Sequence, residues 1–183
     1  MAITYREIEK EFNESLGYIH DDIQTLCTGT ATLNYTVALL VGVACEALED
    51  ARAYPNKIKA FEELLPDTEW KKLARPLFDA IRHGLAHKFD TKHIHVNGKV
   101  IQIYLSWSMP EVICIKRTSG QEDGLFLGTR QLGAGIYRKI QEYRTKLQND
   151  ADACQRFRDW LQTGRTVNCP QELWTLLKSK PCQ

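Results

Sequence analysis

No stretch of this 183-residue sequence is apolar for long enough to cross a bilayer. The most hydrophobic run, residues 36–48, falls short of the ~20 residues a spanning helix needs, so no membrane partner is expected. The six cysteines (Cys27, Cys45, Cys114, Cys154, Cys169 and Cys182) are scattered and include no Cys-x-x-Cys pair, which argues against a disulfide framework and for reduced thiols. No signal-peptide pattern opens the chain, since acidic residues begin at Glu7, and a cytoplasmic protein is the expectation. Charge of one sign is not in excess either: the formal net charge is +1, so global electrostatics nominates no nucleic-acid partner. Internal repeats, low-complexity tracts and clear linkers are also missing. One domain spanning 1–183 is therefore expected, long enough to bury a core without staples.

What is present is mostly helical periodicity. Tyr5, Ile8, Phe12, Leu16, Ile19, Ile23 and Leu26 recur at spacings of three and four, predicting one helix over about 4–27. A second, over about 33–53, is apolar on every side at its centre (Val37 to Cys45), the mark of a helix central to its domain. Glu46 follows at the end of that stretch, and an unpaired buried carboxylate costs several kcal/mol, so it must find a partner or reach water. A short helix near 57–64 is followed by one over about 68–88, capped by Asp67 or Thr68. Trp70, Leu73, Leu77, Phe78, Ile81 and Leu85 form its apolar face; Arg75, Asp79, Arg82, His83 and His87 lie opposite. Pro76 conflicts with an unbroken helix and implies a kink or a start nearby.

The period then changes. His93 to Trp107 reads as a hairpin turning at Asn97-Gly98, with Val96 opposite Lys99 and Ile94 opposite Ile101. That register puts Ile94, Val96, Ile101, Ile103, Leu105 and Trp107 on one face and His93, His95, Val100, Gln102 and Tyr104 on the other. Strands at 111–117 and 125–128 complete a small antiparallel sheet inserted at about 93–128. A long helix over about 130–163, interruptible at Asn149-Asp150, and a short one from Pro170 bearing Leu173, Trp174 and Leu177 close the chain.

Chemistry concentrates at Arg82-His-Gly-Leu-Ala-His87. Residues 71–99 hold seven basic groups (Lys71, Lys72, Arg75, Arg82, Lys88, Lys92, Lys99) against Asp79 and Asp90, a local excess of five in a chain of net charge +1. Arginine grips phosphate bidentately and never loses its charge. Histidine, with a pKa near ~6.5, exchanges a proton at neutral pH. Together they can cleave RNA without a metal: His87 deprotonates a ribose 2′-OH, and Arg82 stabilises charge on the phosphoryl oxygens. Gly84 would allow close approach.

Ile81-Arg-His-Gly-Leu-Ala-His-Lys-Phe89 resembles the signature of HEPN domains, an arginine, a polar residue, several further residues and a histidine, with Arg82, His83 and His87 at the three marked positions. The setting is also similar: a signature late in a helix, a preceding apolar helix with a glutamate, and a long amphipathic helix later. The resemblance covers roughly 1–90 and 130–163. It implies an up-and-down bundle of four to five helices and a homodimer whose signatures face each other across a composite cleft. The activity it implies is a metal-independent endoribonuclease without cofactor, in a toxin–antitoxin or antiviral defence setting. Partners would be RNA and a nucleotidyltransferase-type antitoxin. Other members of the family are non-catalytic nucleotide- or protein-binding modules. Catalysis would fall to Arg82 and His87, with His83, Asp79 and Glu46 supporting or orienting. The family's glutamate is often followed four residues later by a basic residue; here Glu46 is followed by Asp50, and the basic residue arrives at Arg52.

Structural readings stand beside these. Arg82 could pair with Glu46 or Asp79, the latter within helical reach of both Arg82 and His83. His87 could satisfy terminal carbonyls at the negative end of its helix. Glu46 could be a structural partner to a base. Four histidines (His83, His87, His93, His95) could hold zinc, although no Cys or Glu-x-x pattern accompanies them. Trp70, Trp107, Trp160 and Trp174 read as core or interface residues. The basic window could be a solvated face, and the hairpin an interface element, since an exposed edge strand invites pairing.

Overall fold

The computed structural model describes residues 3–29, 33–88, 94–96, 98–116 and 124–164, with the side chains at 85–88, 96 and 163–164 outside that description. Helices come first: α1 (Tyr5–Phe12), a π-helical turn (Asn13–Gly17), α2 (Tyr18–Thr28), α3 (Asn34–Asp50), α4 (Lys57–Glu62), α5 (Thr68–Lys71) and α6 (Ala74–Lys88). Strands β1 (Ile94–Val96), β2 (Lys99–Ser106), β3 (Ile113–Lys116) and β4 (Gly124–Gly128) follow, then α7 (Thr129–Asn149) and α8 (Ala151–Gly164). The chain is thus mainly helical with a small sheet inserted between α6 and α7. No helix among the described residues is long and apolar enough to cross a membrane. The expected helix from Pro170, together with Cys169 and Cys182, lies outside the described residues.

Helix α3 is the centre, as an all-round apolar helix must be. Val37, Ala38, Val41, Gly42, Ala44, Cys45 and Leu48 are buried, and α2, α4, α6 and α7 all pack on it. The Cys45 thiol is free, and burial, reinforced by the Glu46 charge, pushes its pKa up. The expected single N-terminal helix is divided by the π-helical turn, which rotates the buried face by about one position. Leu16, Gly17, His20 and Ile23 are buried as a result, whereas Ile19 is only partly so. His20 stacks on Tyr137 with ring centroids 4.0 Å apart; Gln141 bonds its Nε2, and Asp21 lies 2.8 Å from its Nδ1.

Pro76 resolves as a helix start. The chain breaks at Lys72–Leu73, and Pro76 falls in the first turn of α6, where its missing N–H costs no intrahelical bond. Asp67 caps α5 by accepting from the Glu69 and Trp70 amides at 3.0 and 3.1 Å. The long C-terminal helix breaks at Asp150, whose carboxylate accepts from the Ala153 amide at 3.0 Å and caps α8. Trp70, Trp107 and Trp160 pack partly buried against the core; Trp174 lies outside the described residues.

The sheet departs from expectation in one respect. The β1–β2 register is Ile94 opposite Ile101 and Val96 opposite Lys99, with Gly98 at φ 75° in the turn; Asn97 lies outside the described residues. The sheet is not purely antiparallel, however. Strand order is β1-β2-β4-β3, with β4 parallel to β2 and antiparallel to β3. The physical reason lies in Gly-Leu-Phe-Leu-Gly at β4: a strand with almost no polar surface belongs in the middle of a sheet, so it inserts between β2 and β3. Ile103, Ile113, Leu125 and Leu127 turn inward toward α3 and α7. A partly buried hydrogen bond joins the starts of α7 and α3: the Thr129 hydroxyl donates to Asn34 Oδ1 at 2.6 Å.

The C-terminal end of α3 is held by Tyr143 of α7, whose buried hydroxyl donates to the Ala51 carbonyl at 2.7 Å. Burial raises the pKa of this phenol, so it stays a donor at physiological pH. Tyr143→Phe is expected to destabilise the fold by about 1–2 kcal/mol, because it leaves a buried carbonyl without its donor. Urea unfolding of the two proteins measures this; equal midpoints would show that the bond contributes nothing.

Candidate active site around Arg82

Leu77, Phe78 and Ile81 turn α6 inward, and Arg82 follows at the border of that apolar face, directed at α3. Two positions of α3 one turn apart receive it. Gly42 provides clearance: a Cβ there would lie 2.9 Å from Arg82 Cδ, so only glycine lets the arginine stem cross without displacement. Glu46 provides the counter-charge, its Oε2 accepting from Arg82 Nε at 3.0 Å. The carboxylate's other oxygen, Oε1, accepts from Lys57 Nζ of α4 at 3.3 Å. Lys57 also sits 5.8 Å from the centroid of the Phe78 ring, one turn before Arg82 on α6. The Glu46, Arg82 and Lys57 side chains are 28%, 25% and 37% exposed, so the cluster lies at the surface margin of the α3–α4–α6 junction and water reaches all three. Two cations thus share one carboxylate.

This arrangement gives Glu46 a defined place. The position four residues on, where the resemblance leads one to look for a base, holds Asp50. Burial, then the neighbouring Glu49 and Glu46 charges, raises the Asp50 pKa against the opposing pull of Lys57. Arg52 does not substitute, because it lies past the end of α3 in a left-handed conformation, φ 56°, where the helix has stopped. Lys57, from the next helix, supplies the second cation instead. Sequence reasoning missed both Lys57 and Gly42. Gly42 had a readable signal, a glycine one turn before the only acid in an apolar helix stretch. Lys57 had none, because its role depends on how the 51–56 connection folds back.

The remaining candidates are distributed along α6. Asp79 and His83 are exposed by 46% and 48%, with Oδ1 and Nε2 3.8 Å apart, a loose surface pair. The His87 side chain lies outside the described residues, but its backbone is in α6. A helix turns ~100° per residue, so position 87 is about 140° around the axis from position 82 and about 40° from position 83. Asp79, His83 and position 87 therefore run as one stripe, while Arg82 belongs to the flank that meets α3. One copy of α6 does not align positions 82 and 87 on a single face. Gly84 is buried.

Of the four histidines considered as zinc ligands, His83 and His95 have described side chains. No cluster of three or more possible ligands forms among the described residues. His95 is exposed on the sheet, and His93 lies outside the described residues.

No protein-family model, curated protein or solved structure matches the chain.

Glu46→Gln keeps the shape of the carboxylate and removes its charge. The loss expected in urea unfolding at neutral pH is about 1–2 kcal/mol, between the values for exposed and buried ion pairs, because about a quarter of each partner is exposed. Combined with Arg82→Gln, the double variant should lose less than the sum of the two single variants. Strict additivity would show that the two side chains do not interact in solution.

Proposed function

We propose that this chain is a metal-independent endoribonuclease of the HEPN type, acting as a homodimer in a toxin–antitoxin or defence setting. The observation that carries the reading is the anchoring of Arg82 by Glu46. An arginine gripped at Nε, on a carboxylate that also engages Lys57, is pre-oriented at the surface margin without being sealed from solvent. Pre-organised charge aimed at a phosphoryl group is the largest contribution a metal-free site makes to such a reaction. The basic excess of residues 71–99 favours a polyanion nearby.

In this reaction His87 accepts the 2′-OH proton as the 2′ oxygen attacks phosphorus. The P–O5′ bond breaks, and a protonated His87 from the second copy gives its proton to the leaving 5′ oxygen. The products are a 2′,3′-cyclic phosphate and a 5′-hydroxyl. Arg82 neutralises the non-bridging oxygens. His83, in the stripe that contains position 87, and Asp79, 3.8 Å from it, orient substrate or histidine. Two copies are required by this reading, because positions 82 and 87 of one helix do not share a face.

A second reading is favoured by the same ion pair. Glu46 places a negative charge beside Arg82, which suits a purely structural arginine in a non-catalytic module that binds a nucleotide or a protein.

Cleavage of a mixed RNA in excess chelator separates the two. Wild type should cut and leave cyclic-phosphate ends. His87→Ala and Arg82→Ala should each be slower by at least ~10²-fold. Equal cleavage by wild type and His87→Ala would reject the assigned base; no cleavage by either would favour the binding-module reading.

A further inference from the structure

The outer face of the sheet carries a surface that the α6 chemistry does not use. Strand alternation and register place His95 of β1, Gln102 and Tyr104 of β2, Phe126 of β4 and Lys116 of β3 on that face, opposite the side that packs on α3 and α7. Tyr104 and Phe126 sit on neighbouring strands with ring centroids 4.7 Å apart and planes inclined by 21°, a stacked pair. Lys116 Nζ lies 5.0 Å from the Phe126 centroid and continues the row with a cation. Gly124 makes room: a Cβ there would be 2.7 Å from Tyr104 Cε2 and 3.2 Å from Phe126 Cε2, so both rings lean over a strand position kept bare. Tyr104 nevertheless remains 43% exposed, and the Gln102 amide accepts its hydroxyl proton.

A large aromatic ring held in place yet open to water is a binding feature, and its surroundings select the ligand. Among the described residues, this face of the four strands carries Lys116 and His95 and no carboxylate. A protein partner of ordinary interface composition does not favour a lysine at an aromatic centre. A polyanion bearing flat π faces satisfies the rings and the lysine together. Because bases inside a duplex already have both faces covered, the ligand must present an unstacked base.

We propose that this sheet face binds an unpaired nucleobase of single-stranded RNA. The base extends the Lys116–Phe126–Tyr104 row by stacking on Tyr104, Gln102 reaches its polar edge, and Lys116 meets a phosphate. The proposal rests on RNA being the substrate and adds its class: unpaired rather than duplex RNA.

The test is fluorescence anisotropy of the full chain with a short 2′-O-methyl oligouridine, which lacks the 2′-OH needed for cleavage, and with a duplex of the same length. Wild type should prefer the single strand. Tyr104→Ala should weaken binding by about 5- to 100-fold, the range for loss of one base–aromatic stack. Tyr104→Phe, which keeps the ring, should stay within about twofold. Lys116→Gln should lower the salt dependence by about 0.7 in the log–log slope. Circular dichroism checks that each variant is folded. Unchanged affinity in Tyr104→Ala, with His87-dependent cleavage intact, would overturn the stacking face and leave the nuclease reading standing. Absence of oligonucleotide binding by wild type would also overturn it, while the cleavage assay judges the nuclease separately. A Tyr104→Ala protein with altered oligomeric state and unaltered RNA affinity would make the face an interface between copies and overturn the proposal.

Discussion

The carboxylate of Glu46 sits where an otherwise apolar helix meets solvent, and the arrangement of three helices depends on how that charge is satisfied. One oxygen takes Arg82 from α6 and the other takes Lys57 from α4. A carboxylate at such a position is costly without partners, and a single exposed cation would offset little of that cost. Two cations from two elements fix both the rotation of α6 about its axis and the return of the chain after α3. Gly42 makes the same constraint steric, since the arginine stem reaches the carboxylate only over a residue without a side chain. Ion pair and clearance are therefore one device, built from α3 positions one turn apart.

Much of the helical framework was legible, because helices record burial as a period. The all-apolar run from Val37 to Cys45 could only be central, and Tyr143, Leu147, Cys154, Phe157 and Leu161 keep their spacing across the break at Asp150. The hairpin register was legible for a related reason: period-two alternation about Asn97-Gly98 leaves one alignment that puts Ile101 and Ile103 on the same, core-facing side. Two features were not. The parallel pairing of β2 with β4 is non-local, and a short apolar strand such as Leu125-Phe-Leu127 states that it is central without stating its direction. The π-helical turn inserts its offset without a distinctive residue, so the period predicted Ile19 as buried and left out His20.

The site divides along the same line. That Glu46 needed a partner, and that Arg82 was a candidate, followed from charge and burial alone. That Lys57 would share the carboxylate did not, because the 51–56 connection folds through Arg52 in a conformation that helical periodicity cannot encode. The aromatic row on the sheet was half visible: the hairpin register put Gln102 and Tyr104 on the outer face, but Phe126 and Lys116 join them only once β4 lies between β2 and β3. Both proposed functions of the molecule thus depend on non-local pairing, one through an ion pair and one through strand order.

The π-helical turn at Asn13–Gly17 carries a consequence for how this chain can change over generations. A π turn is an α-helix holding one surplus residue, so excising a single residue there would restore regular winding. All of α2 would then rotate by about 100° relative to α1, swinging Ile23 out of the core and bringing polar neighbours in. The N-terminal helical run is consequently locked in length: α1 against α8 and α2 against α7 stay in phase only while the surplus residue is retained.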